Sequence, residues 1–166
     1  MDALLEDIDA MRESGYDPST IEINEAYNAL IHRFLDSPIG DYVRSIGGQE
    51  SKMVAGGGLL SAPLIKREIT EYNPGAILFP RGYLPIWSCD GNLIVYGLDR
   101  NQFFWASGDS WFPDCDLIVI PETGEGIPFT EADVPRALVF LSDDPPNAFV
   151  SDLLAGAYDD RLRKLG

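Results

Sequence analysis

One histidine and two cysteines are all this chain offers of the side chains that most often carry metal or nucleophilic chemistry. His32, Cys89 and Cys115 are too few for a four-ligand zinc set. A cysteine–histidine pair would need His32, between Ile31 and Arg33, to meet a distant thiol with no local motif bringing them together. The expectation is no catalytic residue, no metal, no cofactor, and two reduced, partly buried thiols. Long apolar runs are also missing. None approaches the ~20 residues of a membrane span. The N-terminus carries Asp2, Glu6, Asp7 and Asp9 rather than a basic and apolar leader, so a cytoplasmic protein is expected. Basic charge is scarce as well: 12 Lys and Arg stand against 27 Asp and Glu, a formal net charge of −15. Such a field repels nucleic acid and anionic lipid and steers basic partners into encounter. Solubility or salt adaptation accounts for acidity equally well, so charge gives only the sign of a partner.

Glycine clusters and acidic pairs are present, but not in the spacing that chemistry needs. Gly56-Gly57-Gly58 is not followed by Lys-Ser or Lys-Thr, and no Gly-x-Gly-x-x-Gly opens a helix. Asp143-Asp144 and Asp159-Asp160 do not fit a calcium loop. The first pair reads as a helix cap and the second as an exposed helix face.

At 166 residues with 45% hydrophobic composition, the chain suits one globular domain over 1–166, with residues 1–20 a candidate N-terminal helical extension. Apolar spacing predicts a helix over residues 3–13 and a second beginning near Asp17-Pro18-Ser19, with the stripe Ile23, Ala26, Tyr27, Leu30, Ile31 and Phe34. A short helix over 39–46 follows Ser37-Pro38 and ends at Gly47-Gly48. Residues 49–58 read as a flexible loop, and 59–72 as ambiguous, with Ile65, Ile69 and Tyr72 fitting a helical face. Strands are expected at 76–79, 83–87, 93–98, 103–106, 117–120 and 137–141, and a last helix at 147–165. Helices first, strands in the middle and a helix last describe an α+β domain, with helices on one largely antiparallel sheet.

Residues 79–111 hold eight aromatics, including all three tryptophans. Asp90-Gly91 is a tight-turn signal, and Asp99-Arg100-Asn101-Gln102 separates two β-prone runs, so a hairpin is expected there. This segment supplies core, a binding surface, or both. Its order of features, Pro80-Arg81-Gly82-Tyr83-Leu84-Pro85-Ile86, then Asp90-Gly91-Asn92, then Phe103-Phe104-Trp105, resembles the SUKH superfamily. Pro38-Ile39-Gly40-Asp41-Tyr42-Val43 leading to Gly47-Gly48, and Phe149-Val150-Ser151-Asp152-Leu153-Leu154 in the last helix, extend the resemblance over roughly residues 21–165. Two features depart from that pattern: the second glycine cluster at 56–58, and a turn without several glycines before its Asp.

That superfamily includes fungal cell-wall-assembly regulators and bacterial proteins that neutralise toxins. The resemblance implies a non-enzymatic immunity protein that binds a toxin domain, often a nuclease; the acidity adds the expectation of a basic partner and of no direct contact to nucleic acid or membrane. An intracellular scaffold or regulatory domain is the alternative, and an unrecognised enzyme the third reading. No contact residue follows from the resemblance. Local chemistry nominates Tyr83, Trp87, Asp90, Asp109 and Trp111, where aromatics and acids flank turns and strand ends. Trp105 reads as core, and Trp111, before Phe112-Pro113, as the better surface tryptophan.

Overall fold

Apolar residues three and four apart give α1 (Ile21–Leu35), the first described element of the computed structural model, in which residues 21–45, 52–54 and 56–166 are described. The expected helix over 3–13, the start of the second helix and the Gly47-Gly48 terminus lie outside the described residues. Leu30, Ile31, Phe34 and Leu35 bury the α1 stripe, and a short α2 (Gly40–Ser45) follows with Tyr42 and Val43 buried. Among the described residues no helix is long and apolar enough to cross a membrane.

The glycine cluster corrects the expectation of a flexible loop. β1 (Lys52–Val54) and β2 (Gly57–Leu59) form an antiparallel hairpin. A Cβ at Gly57 would lie 2.4 Å from the Trp87 ring and 2.5 Å from the Ser88 carbonyl oxygen. Glycine is therefore required there for close approach. The ambiguous stretch resolves into β2 and then α3 (Ala62–Thr70), with Ile65 and Ile69 buried. Tyr72 lies beyond that helix and is exposed, accepting a hydrogen bond from Arg67 Nη2 at 2.6 Å. The strand expected at 76–79 is instead α4 (Gly75–Leu78) running into a 3₁₀ turn, Phe79–Arg81. Ala76 and Leu78 donate to the Tyr72 and Pro74 carbonyls, and the turn at Asn73-Pro74 continues directly as helix.

β3 (Tyr83–Cys89), β4 (Asn92–Gly97), β5 (Gln102–Ala106) and β9 (Leu138–Ser142) extend the hairpin into a six-stranded antiparallel sheet, ordered β1-β2-β3-β4-β5-β9. The predicted hairpin is present, with Leu93 opposite Ala106 and Tyr96 opposite Phe103. Cys89 pairs with Asn92 across Asp90 and Gly91, both at positive φ (49° and 82°), as a two-residue turn of this kind demands. The 117–120 run does not join this sheet, which corrects the single-sheet expectation. β6 (Trp111–Phe112), β7 (Leu117–Val119) and β8 (Gly126–Pro128) form a separate three-stranded antiparallel sheet. The 3₁₀ turn Gly108–Ser110 redirects the chain after β5, and the small sheet packs under the large one.

Two cores result. Ile94 and Tyr96 of the central strand face the helices, while Leu93 and Val95 face Trp111, Ile118 and Ile127 of the small sheet. Covering both faces explains why β4 reads as an unbroken apolar run. Trp87 and Trp105 are buried on the helical side, their centroids 5.8 Å apart. The expected last helix is two: α5 (Pro146–Leu154) and α6 (Asp159–Leu165), divided at Gly156, whose φ of 82° ends the first. Phe149, Leu153 and Leu162 seat both on the sheet. Asp144 does not cap α5, contrary to expectation. Its carboxylate accepts from Ser142 Oγ at 2.9 Å, and Pro146 at the helix start has no N–H to satisfy.

Candidate functional site

Hairpin geometry brings some of the nominated residues together and separates others. Asp90 is exposed at the apex of the β3–β4 turn. Asp109 is exposed in the 3₁₀ turn after β5, its amide donating to Ser107 Oγ at 3.3 Å. The Gly108 amide donates to Asn92 Oδ1 at 3.0 Å, and a Cβ at Gly108 would sit 2.8 Å from the Gly91 carbonyl oxygen. The two turns therefore touch, and Asp90 and Asp109 share one rim. Trp87 lies below that rim but is buried, 1% exposed. Trp111 is 4% exposed inside the second core, so its placement on the surface is overturned. The surface reading rested on the Phe112-Pro113 that follows it, and Phe112 is exposed, but the fold of β7 and β8 beneath the sheet buries the Trp111 ring.

Tyr83 is at the far end of β3, opposite Gly97. Because Gly97 has no side chain, the Tyr83 and Phe104 rings meet edge to face across β4, 5.9 Å apart. Arg81 and Arg100 line a 210 Å³ cleft beside them, with Arg81 held by Glu131 and by the Ile77 carbonyl. This end carries Arg81 and Arg100 together with Asp99 and Glu131.

Two clefts meet at the Asp90 end. One of about 520 Å³ is walled by Trp87, Trp105, Asn92 and Asp159; the other, of about 360 Å³, runs between the β2 glycines and Glu68 of α3. Gly56, Cys89 and Asp90 border both. Sequence reasoning missed Asp159 and Glu68. Asp159 was read as part of an exposed helix face, yet its Oδ1 is buried with no hydrogen-bond partner among the described residues. The glycine at 156, which turns the chain back toward the sheet, was the available signal. Glu68 is half-buried, and burial raises its pKa although Ser88 Oγ donates to it at 3.2 Å.

Burial and the adjacent Asp90 both push the Cys89 thiol up, which opposes a thiolate at neutral pH. His32 is exposed on α1, and Cys89 and Cys115 are both free. Arg163 is the one basic side chain lining either cleft among the described residues, and it already faces Asp160 at 3.5 Å. Three carboxylates, from Asp90, Asp159 and Glu68, thus surround the clefts, with Asp109 beside them on the rim. Comparison with family models, curated proteins and solved structures gave no match.

Proposed function

We propose that this protein is an immunity protein, which neutralises a basic toxin domain by direct binding through the Asp90 end of its sheet. The observation that carries the reading is the gathering of Asp90, Asp159 and Glu68 around two adjoining clefts, with Asp109 on the neighbouring turn, on a chain of net charge −15. A nuclease toxin holds nucleic acid in a Lys/Arg-rich groove, and a rigid acidic rim is complementary to it. Rigidity is part of the case. Asp90 sits on a tight turn, and the Asp109 turn is tied to it through Asn92, so few conformations are lost on binding. The resemblance of residues 79–111 to the SUKH superfamily points the same way.

A second reading, an interaction scaffold, draws on the opposite end, where Tyr83, Phe104 and the exposed Phe140 form a row of rings with Arg81 and Arg100 nearby.

The test is co-expression with the product of the neighbouring gene, scored by growth. Wild type rescues growth if that product is a toxin, whereas Asp90→Lys with Asp109→Lys rescues poorly while accumulating to the same level. Equal rescue by the double variant contradicts the acidic-rim reading. A neighbouring product that does no harm contradicts the immunity reading itself.

A further inference from the structure

The free edge of a sheet is a row of unpaired backbone N–H and C=O groups to which another strand can add. The edges of this fold differ in how they are protected. β1 is three residues long, β6 two, and β8 three with Pro128 at its end. β9 has five residues, Leu138-Val139-Phe140-Leu141-Ser142, with neither charge nor proline. It is the longest edge strand among the described residues, and Phe140 on it is 45% exposed. Its protection comes from another element. Pairing with β5 steps from Phe104–Phe140 to Phe103–Ser142, so Leu141 is the extra residue of a bulge and its carbonyl is left out of the ladder. Arg161 of α6 donates from Nη1 to that carbonyl at 2.9 Å, and from Nη2 to the carbonyl of Phe140.

We propose that Arg161 is a gate on this edge: it holds the backbone acceptors on which a second copy of this chain would pair, β9 against β9. In an antiparallel strand the N–H and C=O of one residue point to the same side, and those of the next residue to the other. The Phe140 carbonyl meets Arg161 on the outer side, so the groups of Phe140 and Leu138 face outward while those of Val139 face β5. A twofold axis at Val139 sets Leu138 of each copy opposite Phe140 of the other. Both are then hydrogen-bonded pairs, each exchanging an N–H and a C=O in both directions. The same register lays the exposed Phe140 ring against Leu138 of the other copy, on the face where Phe104 and the second core lie. This self-complementarity favours a second copy over an unrelated strand, since a copy always brings the matching pattern. With Arg161 in place the Phe140 acceptor is taken, and an added strand would bury a guanidinium that has no carboxylate to meet it there.

Sedimentation velocity of wild type, Arg161→Ala and Arg163→Ala, from about 10 µM to about 1 mM, reads the gate. Both variants make a chain of charge −15 more acidic, which by itself opposes association. Wild type and Arg163→Ala should stay monomeric, and Arg161→Ala should dimerise at least about tenfold more tightly than either. Hydrogen exchange places the contact: in Arg161→Ala alone, the Leu138 and Phe140 amides should slow as concentration rises. Adding Phe140→Lys returns a charge to the edge and should restore the monomer. Should Arg161→Ala lose its native circular dichroism, Arg161→Met keeps the aliphatic stem without the donors. A folded Arg161→Ala or Arg161→Met protein that stays monomeric, a wild type already paired through β9, or association that persists with Phe140→Lys overturns the inference. So does protection of the β9 amides by the strand of another protein while Arg161→Ala remains a monomer, which assigns the edge to that protein instead.

Discussion

Replacing Trp111 with alanine separates a core role from a surface role. Trp111 is 4% exposed, pairs with Ile118 across the small sheet and belongs to the cluster that joins this sheet to Leu93 and Val95 of the large one. Truncating a buried tryptophan costs about 3–5 kcal/mol. The indole N–H of Trp111 is itself buried without a partner among the described residues. Its removal returns part of the cost of an unsatisfied donor, which places Trp111→Ala near the lower end, at about 3 kcal/mol. For a domain of this size, 1 kcal/mol moves Tm by about 2–4 °C, so a fall of about 6–12 °C is expected. Trp111→Phe keeps most of the ring and discards the unpaired N–H, and should cost about 1 kcal/mol or less. Thermal unfolding followed by circular dichroism reads both variants. A Trp111→Ala protein melting within about 1 °C of wild type would refute the burial of this side chain and the joining of the two sheets through it.

Two further changes probe the walls of the clefts. Gly57→Ala places a Cβ against the Trp87 ring and the Ser88 carbonyl, and should lower stability by about 1–3 kcal/mol in urea unfolding; an unchanged midpoint would mean that β2 does not lie against Trp87. Glu68 has its pKa raised, chiefly by burial, so the folded state holds its proton more tightly than the unfolded state and stability from this group falls as pH rises through the folded pKa. Glu68→Gln should therefore raise Tm relative to wild type at pH 7 and leave it nearly unchanged at pH 4, whereas a lower Tm at pH 7 would show that the Ser88 hydrogen bond outweighs burial.

What could be read from the sequence was what neighbouring residues decide. Asp90-Gly91 supplies the two positive φ values of a tight turn, so the β3–β4 hairpin follows from two residues, and the β4–β5 pairing from the polar break after Leu98. The helical stripe containing Leu30, Ile31 and Phe34 was legible for the same reason. Contacts between distant segments were not. Three-residue strands such as Leu117–Val119 carry no mark of which sheet will take them, and only the packing of that small sheet buries Trp111. Gly57 looked like loop because its role is to leave room for a ring thirty residues away. Half of the candidate site was visible, as Asp90 and Asp109 stand on turns that sequence locates. Asp159 was not, because its place depends on how the break at Gly156 directs α6 against Trp105.

The most direct test of the account is the association rate with the toxin, measured by stopped flow for wild type and for Asp90→Lys with Asp109→Lys, at low and at physiological salt. Exposed charges act within a Debye length of about 8 Å at 0.15 M, so steering by the acidic rim is strongest at low ionic strength. The account predicts that wild-type association slows by about tenfold or more as salt rises, and that the double variant is already slow at low salt, while dissociation changes much less. Equal association rates for the two proteins, unaffected by salt, would contradict the claim that the Asp90 end meets a basic partner.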